Sequence, residues 1–334
     1  MARRRRGGRR GLWIAAAVAV ALILAAVGVV GFTAWGGWYG PGPAAADTNV
    51  VVPEGASLAA AARALEKAGV IRSTTNFLRY ARRFGSDAPI RAGEFTIPAR
   101  ASGAAVLELL QNGRTVQRLV TIPEGMPSVL VAERLMAEPA LTGPVAVPAE
   151  GSVLPDSYSF EKGEARADVL ARMQAAMKST LAELWAARKP TTVAKTPAEA
   201  VTLAAIVEKE TAKPAERPLV AAVYSNRVRQ GMRLQADPTV IYPITKGRPL
   251  GRRIRRSELN AVNGYNTYAM TGLPEGPIAN PGRDSIAAVL DPAKSDALYF
   301  VADGKGGHVF ATTLAEHNAN VQRYYALRRS RGEM

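Results

Sequence analysis

Leu12 to Trp35 reads LWIAAAVAVALILAAVGVVGFTAW, 24 consecutive positions without a charged side chain. At about 1.5 Å of rise per residue, such a helix is roughly 36 Å long, enough to cross a hydrocarbon core of about 30 Å with modest tilt. Trp13 stands at one end, with Trp35, Trp38 and Tyr39 at the other, where amphipathic rings favour the headgroup zone. Arg3, Arg4, Arg5, Arg6, Arg9 and Arg10 all precede the run, and the first acid, Asp47, follows it. The positive-inside rule therefore predicts a cytoplasmic tail over 1–11, a transmembrane helix over 12–35, and everything beyond about Trp38 outside the cytoplasmic membrane. A cleaved signal peptide is the competing reading, since Ala44-Ala45-Ala46 resembles a cleavage site. Signal cores run about 7–15 residues, and this one is longer, which favours an anchor.

Working outward, Gly36–Asp47 (GGWYGPGPAAAD) reads as a Gly/Pro/Ala linker over 36–48. The remainder is long enough for two domains with ordinary cores. Cysteine is absent, which excludes disulfides and thiolate chemistry. Only His308 and His317 are present and no H-E-x-x-H pattern occurs, so neither a metal nor a cofactor is expected. The net charge is +15; six of those charges sit in the tail, leaving +9 outside. An external basic surface suits an anionic envelope polymer or lipid headgroups. The densest stretch, Lys246–Arg256 (KGRPLGRRIRR), reads first as a solvated loop beside a ligand site. No helix-turn-helix, RRM or zinc-finger pattern occurs, and nucleic acid is not an expected partner.

The fold class expected is α+β: the membrane helix, a small module over 49–115, and a larger mixed domain over 116–330. Val50–Val52 reads as a strand closed by Pro53-Glu54-Gly55, and Ser57 caps a helix that Gly69 ends. A helix over Thr74–Phe84, a strand over Gly93–Ile97 and a helix over Ser102–Gln111 complete the module. Val116–Ile122 is a further strand, followed by a second Pro-Glu-Gly at 123–125. Residues 165–188 are helical in pattern. Thr196-Pro197-Ala198-Glu199 carries a capping box and N1 proline, opening a helix to about Ala212. Ser285–Leu290 reads as a short helix, 298–311 as a hairpin, and Thr313–Tyr325 as the last helix.

The helix PAEAVTLAAIVEKETA (197–212) carries the candidate chemistry. At 100° per residue, Glu208 points away from Glu199, Thr202, Lys209 and Glu210, toward Val201, Ala204 and Ala205. A carboxyl on an apolar stripe loses solvation, becomes harder to ionise and suits a general acid. Leu203, Ile206 and Val207 lie nearer Glu210, so Glu210 stays open as the second acid. Glu208 could equally be the partner of a buried arginine such as Arg227. Downstream, Gln235, Asp237, Thr239, Tyr242, Tyr265, Asn266, Tyr268 and Asn280 supply the amides, hydroxyls, carboxylate and aromatic faces that hold sugars.

The runs VEKET (207–211), AAVYSNRV (221–228), GMRLQADPTVIY (231–242), YNTYAMTGLPEGPIANPG (265–282), LYFVADGKGGHVF (298–310) and TLAEHN (313–318) strongly resemble the endolytic murein transglycosylase (YceG-like, MltG) family. The resemblance is continuous from about Val201 to Tyr325. EGSVLPDSY (150–158) resembles the opening of that family's catalytic domain, with Ser157 where Thr is common. Residues 49–113 resemble its LysM-like module more weakly. The resemblance implies a lyase that cuts the β-1,4 bond between N-acetylmuramic acid and N-acetylglucosamine within nascent glycan strands. It leaves 1,6-anhydro ends without using water and terminates strand growth. It also implies that Glu208, the first acid of VEKET, is catalytic. Expected partners are peptidoglycan strands and the bilayer through Leu12–Trp35, with cell-wall synthases suggested by family and topology alone. A two-carboxylate muramidase using Glu208 and Asp237, and a non-catalytic glycan-binding scaffold, are the alternatives.

Overall fold

The computed structural model describes residues 7–333, so Arg3 to Arg6 of the expected tail lie outside the described residues. The chain divides into two compact units, cut between Arg118 and Leu119.

In the first unit, helix α1 (Gly7–Tyr39) contains one 27-residue stretch, Trp13–Tyr39, long and apolar enough to cross a membrane. It is followed by β1 (Thr48–Val52), α2 (Leu58–Lys67), α3 (Thr74–Phe84), β2 (Gly93–Ile97) and α4 (Gly103–Asn112). The hydroxyls of Ser57, Ser73 and Ser102 cap α2, α3 and α4 by accepting backbone N–H bonds. Strands β1 and β2 pair antiparallel from Thr48 opposite Ile97 to Val52 opposite Gly93. Their inward residues Val50, Val52, Phe95 and Ile97 join Leu65, Phe77 and Leu110 in one core.

Two expectations fail here. Residues 36–39 of the expected linker belong to α1, and Trp38 is not a headgroup anchor. Helix α1 continues to Tyr39, and Trp38 is 1% exposed, packed into the module core 5.6 Å from the Phe77 ring. The chain after it is bonded along its length: Gly42 N–H donates to Arg100 O, Arg100 N–H to Ala44 O, and Ala99 N–H to the Asp47 carboxylate. Burying one indole outweighs the turn-forming bias of a Gly/Pro segment.

The second unit holds β3 (Arg118–Thr121, of which Arg118 counts with the first unit), α5 (Ser128–Ala137), β4 (Ser157–Phe160) and α6 (Arg166–Ala186). Next come α7 (Pro197–Glu210), a 3-10 turn at Pro214–Glu216, α8 (Arg217–Arg229) and α9 (Asp237–Thr245). The unit ends with α10 (Arg256–Leu259), α11 (Arg283–Leu290), β5 (Tyr299–Ala302), β6 (His308–Ala311) and α12 (Leu314–Ser330). Strands β3 and β4 form a two-stranded sheet over Ile122, Val131, Leu135, Phe160 and Met173, and β5 and β6 an antiparallel hairpin. Helix α7 is the axis of the larger core: Ala200 to Val207 are all buried, and α6, α8, α9 and α11 pack around it. A helix enclosed on every side has no polar stripe along its length, and the buried Thr202 hydroxyl turns back onto Ala198 O. The one-sided apolar face expected of α7 is therefore absent.

Candidate active site

Apart from Glu199 in the first turn, the charged residues of α7 are gathered in its last turn. Residues two apart on an α-helix lie about 200° apart around the axis, so Glu208 and Glu210 leave the core in nearly opposite directions. They enter two different environments.

Glu208 is enclosed, its side chain 5% exposed. One carboxylate oxygen accepts from the Arg217 guanidinium at 3.0 Å, the other from Gly282 N–H at 2.9 Å. Arg217 is itself 7% exposed and also pairs with Glu124 and, at 3.5 Å, with Asp284. Glu124 belongs to the second Pro-Glu-Gly turn, whose Gly125 has φ +71° and would bring a Cβ to 3.3 Å from Glu208 Cγ. The partner of Glu208 is thus Arg217, the first residue of α8, and not Arg227. Both donors point at the carboxylate, so each Glu208 oxygen accepts one hydrogen bond. It ties α7 to the 123–125 turn and to the start of α11.

Glu210 faces a cavity of about 330 Å³ lined by Tyr224, Arg227, Leu234, Gln235, Asp237, Tyr268, Phe300 and His317. Burial raises its pKa to about 7, and the negative charge of Asp237 adds to the rise; a hydrogen bond from Tyr224 and the Arg227 cation only partly oppose it. Burial and the Glu210 charge also hold the Tyr224 phenol well above its ordinary range. Asp237 opens α9 and accepts from the Tyr268 hydroxyl at 2.6 Å. Gln235 sits at φ +56°, its N–H bonded to Thr267 O, so the strained backbone turns its amide side chain into the cavity mouth. Arg227 forms the floor, donating to Leu298 O and Leu234 O at 2.7 Å and stacking over Tyr299. Tyr299 in turn stacks on His317, whose pKa is lowered by burial and by Arg227.

Of the eight sugar-binding candidates, Gln235, Asp237 and Tyr268 meet at Glu210. The others hold the frame. Thr239 is fully buried and bonds Thr267 Oγ1 at 2.8 Å, locking the 265–268 loop to α9. The Asn266 amide, also fully buried, donates to the carbonyls of Glu258, Leu259 and Ala261. Asn280 receives Val153 N–H and donates to Met126 O and Ser128 Oγ, clamping the 126–128 and 150–153 segments together. Tyr242 packs on Tyr265 at 4.8 Å and bonds Glu150, whose pKa burial raises. Arg217, Glu124 and His317 were not singled out from the sequence. The echo of Pro-Glu-Gly at 53–55 and 123–125 was the available signal for Glu124, because both turns follow a strand, open a helix and place glycine at φ near +70°. Among the described residues no three His, Asp or Glu side chains converge as a metal cage requires.

A carboxyl at a helix end that faces a polar and aromatic cleft, with burial favouring its protonated form, has the geometry of a candidate acid–base site. The chain belongs to the YceG-like family, whose profile matches residues 50–323. It is 28% identical over 311 residues to a protein named endolytic murein transglycosylase from Bacillus subtilis (strain 168), covering 83% of this chain and 84% of that one. It is 30% identical over 322 residues to a protein of the same name from Streptococcus pneumoniae serotype 2, covering 82% of this chain. The match spans only 57% of that longer relative. A crystal structure of a YceG-like protein from Listeria monocytogenes aligns with 82% of this chain and 98% of its own at a TM-score of 0.51 and 28% identity.

Proposed function

We propose that this chain is a membrane-anchored endolytic lytic transglycosylase of peptidoglycan, with Glu210 as its acid–base residue. The observation that carries the reading is the Glu210 carboxyl, which faces one cavity with Gln235, Asp237 and Tyr268, where partial burial and the Asp237 charge favour its protonated form. Family membership and the names of the relatives support the substrate class. Glu210 donates its proton to the glycosidic oxygen as the bond from muramyl C1 breaks, releasing the N-acetylglucosamine hydroxyl. The N-acetyl carbonyl oxygen bonds to C1 as the glycosidic bond breaks; the muramyl C6 oxygen then displaces it from C1, restoring the N-acetyl group, and Glu210 takes back the C6 hydroxyl proton. No water is consumed, and a 1,6-anhydro end results. Asp237, oriented by Tyr268, stabilises positive charge at C1, and Gln235 orients the N-acetyl group. Glu208 fixes the end of α7 against Arg217 and the Gly282 N–H, on the side away from the cavity.

Helix α1 anchors the chain, with the Arg-rich end cytoplasmic and both units outside; the 49–115 module acts as a LysM-like glycan contact or spacer. Cleavage near the membrane would end the growth of nascent strands beside the synthases that make them. Mass spectrometry of digested glycan strands is expected to show new anhydro-muramyl ends. Reducing ends instead would make the enzyme a muramidase with Glu210 and Asp237 as its carboxylate pair.

The pH dependence follows from the acid. Because Glu210 must carry its proton to start the reaction, kcat/KM is expected to be full below pH about 7 and to fall as pH rises through it. A profile flat from about pH 6 to 9 would remove Glu210 from the acid role.

A further inference from the structure

We infer that the first unit carries a binding site for an anionic phospholipid, in the cleft between α1 and α3. The inference rests on α1 spanning the bilayer, as proposed above. The cleft is lined on one side by Ala26, Val27, Val30 and Ala34 of α1 and on the other by Leu78 and the arginine-bearing face of α3. Its height is fixed by the span. About 20 residues cross a hydrocarbon core, and counted from Trp13 they reach Phe32. Residues 26–34 therefore straddle the boundary between acyl chains and headgroups on the side where the module lies.

Helix α3 is locked at that level. Tyr80 packs so close to Gly37 that a Cβ there would come within 2.9 Å of its ring, and Phe77 buries against Trp38. With Phe77 and Ala81 turned into the module core, α3 presents Phe84, Arg79, Arg82 and Arg83 outward, and the half-buried Leu78 lines the cleft wall. Phe84 is 39% exposed, a large apolar ring with no core of its own. The three arginines are exposed and make no ion pair with a described carboxylate; Arg83 lies over the Phe84 ring at 5.6 Å. Free guanidiniums fit phosphate oxygens with paired N–H donors, and basic side chains beside a bilayer attract anionic headgroups. The apolar lining continues the lipid-facing surface of α1, so the tail remains in hydrocarbon while its phosphate meets Arg79, Arg82 and Arg83. A phospholipid with net negative charge matches both parts of the cleft. A zwitterionic one matches only the apolar part.

The test uses the full chain purified in a neutral detergent and titrated with dioctanoyl-phosphatidylglycerol, dioctanoyl-phosphatidylcholine or inorganic phosphate, bound lipid being counted by native mass spectrometry. Phosphatidylglycerol is expected to bind at least tenfold more tightly than phosphatidylcholine, and inorganic phosphate not at all in the same range. The triple variant R79Q/R82Q/R83Q should lose about tenfold for phosphatidylglycerol alone, and Phe84→Ala should weaken both lipids. Equal binding of the two lipids, or a triple variant indistinguishable from the wild type, overturns the inference. So does a second copy of the chain occupying the cleft, seen as a dimer that excludes lipid. Resistance of the wild-type chain to alkaline extraction from liposomes reads the anchor separately: an extractable chain fails the anchor, and a retained chain without headgroup preference fails only the lipid site.

Discussion

Glu210→Gln is expected to reduce glycan cleavage by about 10²–10⁴-fold in kcat/KM, the range that a positioned general acid supplies. Glutamine keeps the size and the Tyr224 neighbour but has no transferable proton, so the loss should appear at every pH. The same variant should gain stability at alkaline pH. In the folded chain Glu210 holds its proton up to about 7, against 4.5 for an ordinary glutamate, so between those values the native state binds more protons than the unfolded chain. Stability therefore declines as pH rises from about 4.5 to about 7, by an amount approaching 3 kcal/mol. Glutamine carries no such penalty. At pH 8 the inactive variant should melt above the wild type, whereas at pH 4 the two should coincide. Differential scanning at the two pH values, alongside product analysis, checks both halves. An active variant, or one less stable than wild type at pH 8, would contradict the role.

Glu208→Ala should do the reverse, costing the fold more than the chemistry. It leaves Arg217, 7% exposed, with only Glu124 and Asp284, and strips the Gly282 N–H of its acceptor. Breaking a buried pair from one side costs about 3–5 kcal/mol. For a unit of this size, about 3 kcal/mol corresponds to a melting point lower by roughly 6–12 °C. Glu208→Gln, which still offers one carbonyl oxygen, should lose less. Below the transition, cleavage by either variant should stay within about tenfold of wild type, because the proton on Glu210 is untouched. A Glu208→Gln protein that melts normally and cuts nothing would transfer the acid role to the first glutamate of VEKET.

The two glutamates also show where sequence reading reaches its limit. The Thr196 cap and N1 proline, the Ser57 cap, and the alternation of Val50 and Val52 are local signals, and those elements lie where they point, though the Glu199 carboxylate accepts from Lys195 N–H instead of closing a box on Thr196. The apolar run from Leu12 likewise stands in one helix. Helices α5, α8 and α9 and strand β4 were not legible. Helix α9 carries Pro238 at its first turn and Pro243 inside, and α8 buries Ser225 and Arg227, so neither displays an apolar stripe with polar flanks. A helical wheel ranks faces by their own composition. It contains nothing of Arg217, Gly282 or Asp237, which are brought to α7 by tertiary packing. That is why Glu208 reads as the desolvated acid while the cavity lies at Glu210. The sugar candidates show the same limit: fully buried Asn266, Thr239 and Asn280 have the composition of a binding site, but their hydrogen-bonding capacity is spent on the loops that shape it.

Trp38 has a consequence for motion. Because its indole is sealed in the first unit's core while its backbone belongs to α1, no swivel lies between that helix and the module. With α1 seated in a bilayer, the module cannot tumble as a ball on a string. Its Brownian rotation is damped by lipid viscosity, and a torque applied to the module is felt as a twist of the helix among its lipids.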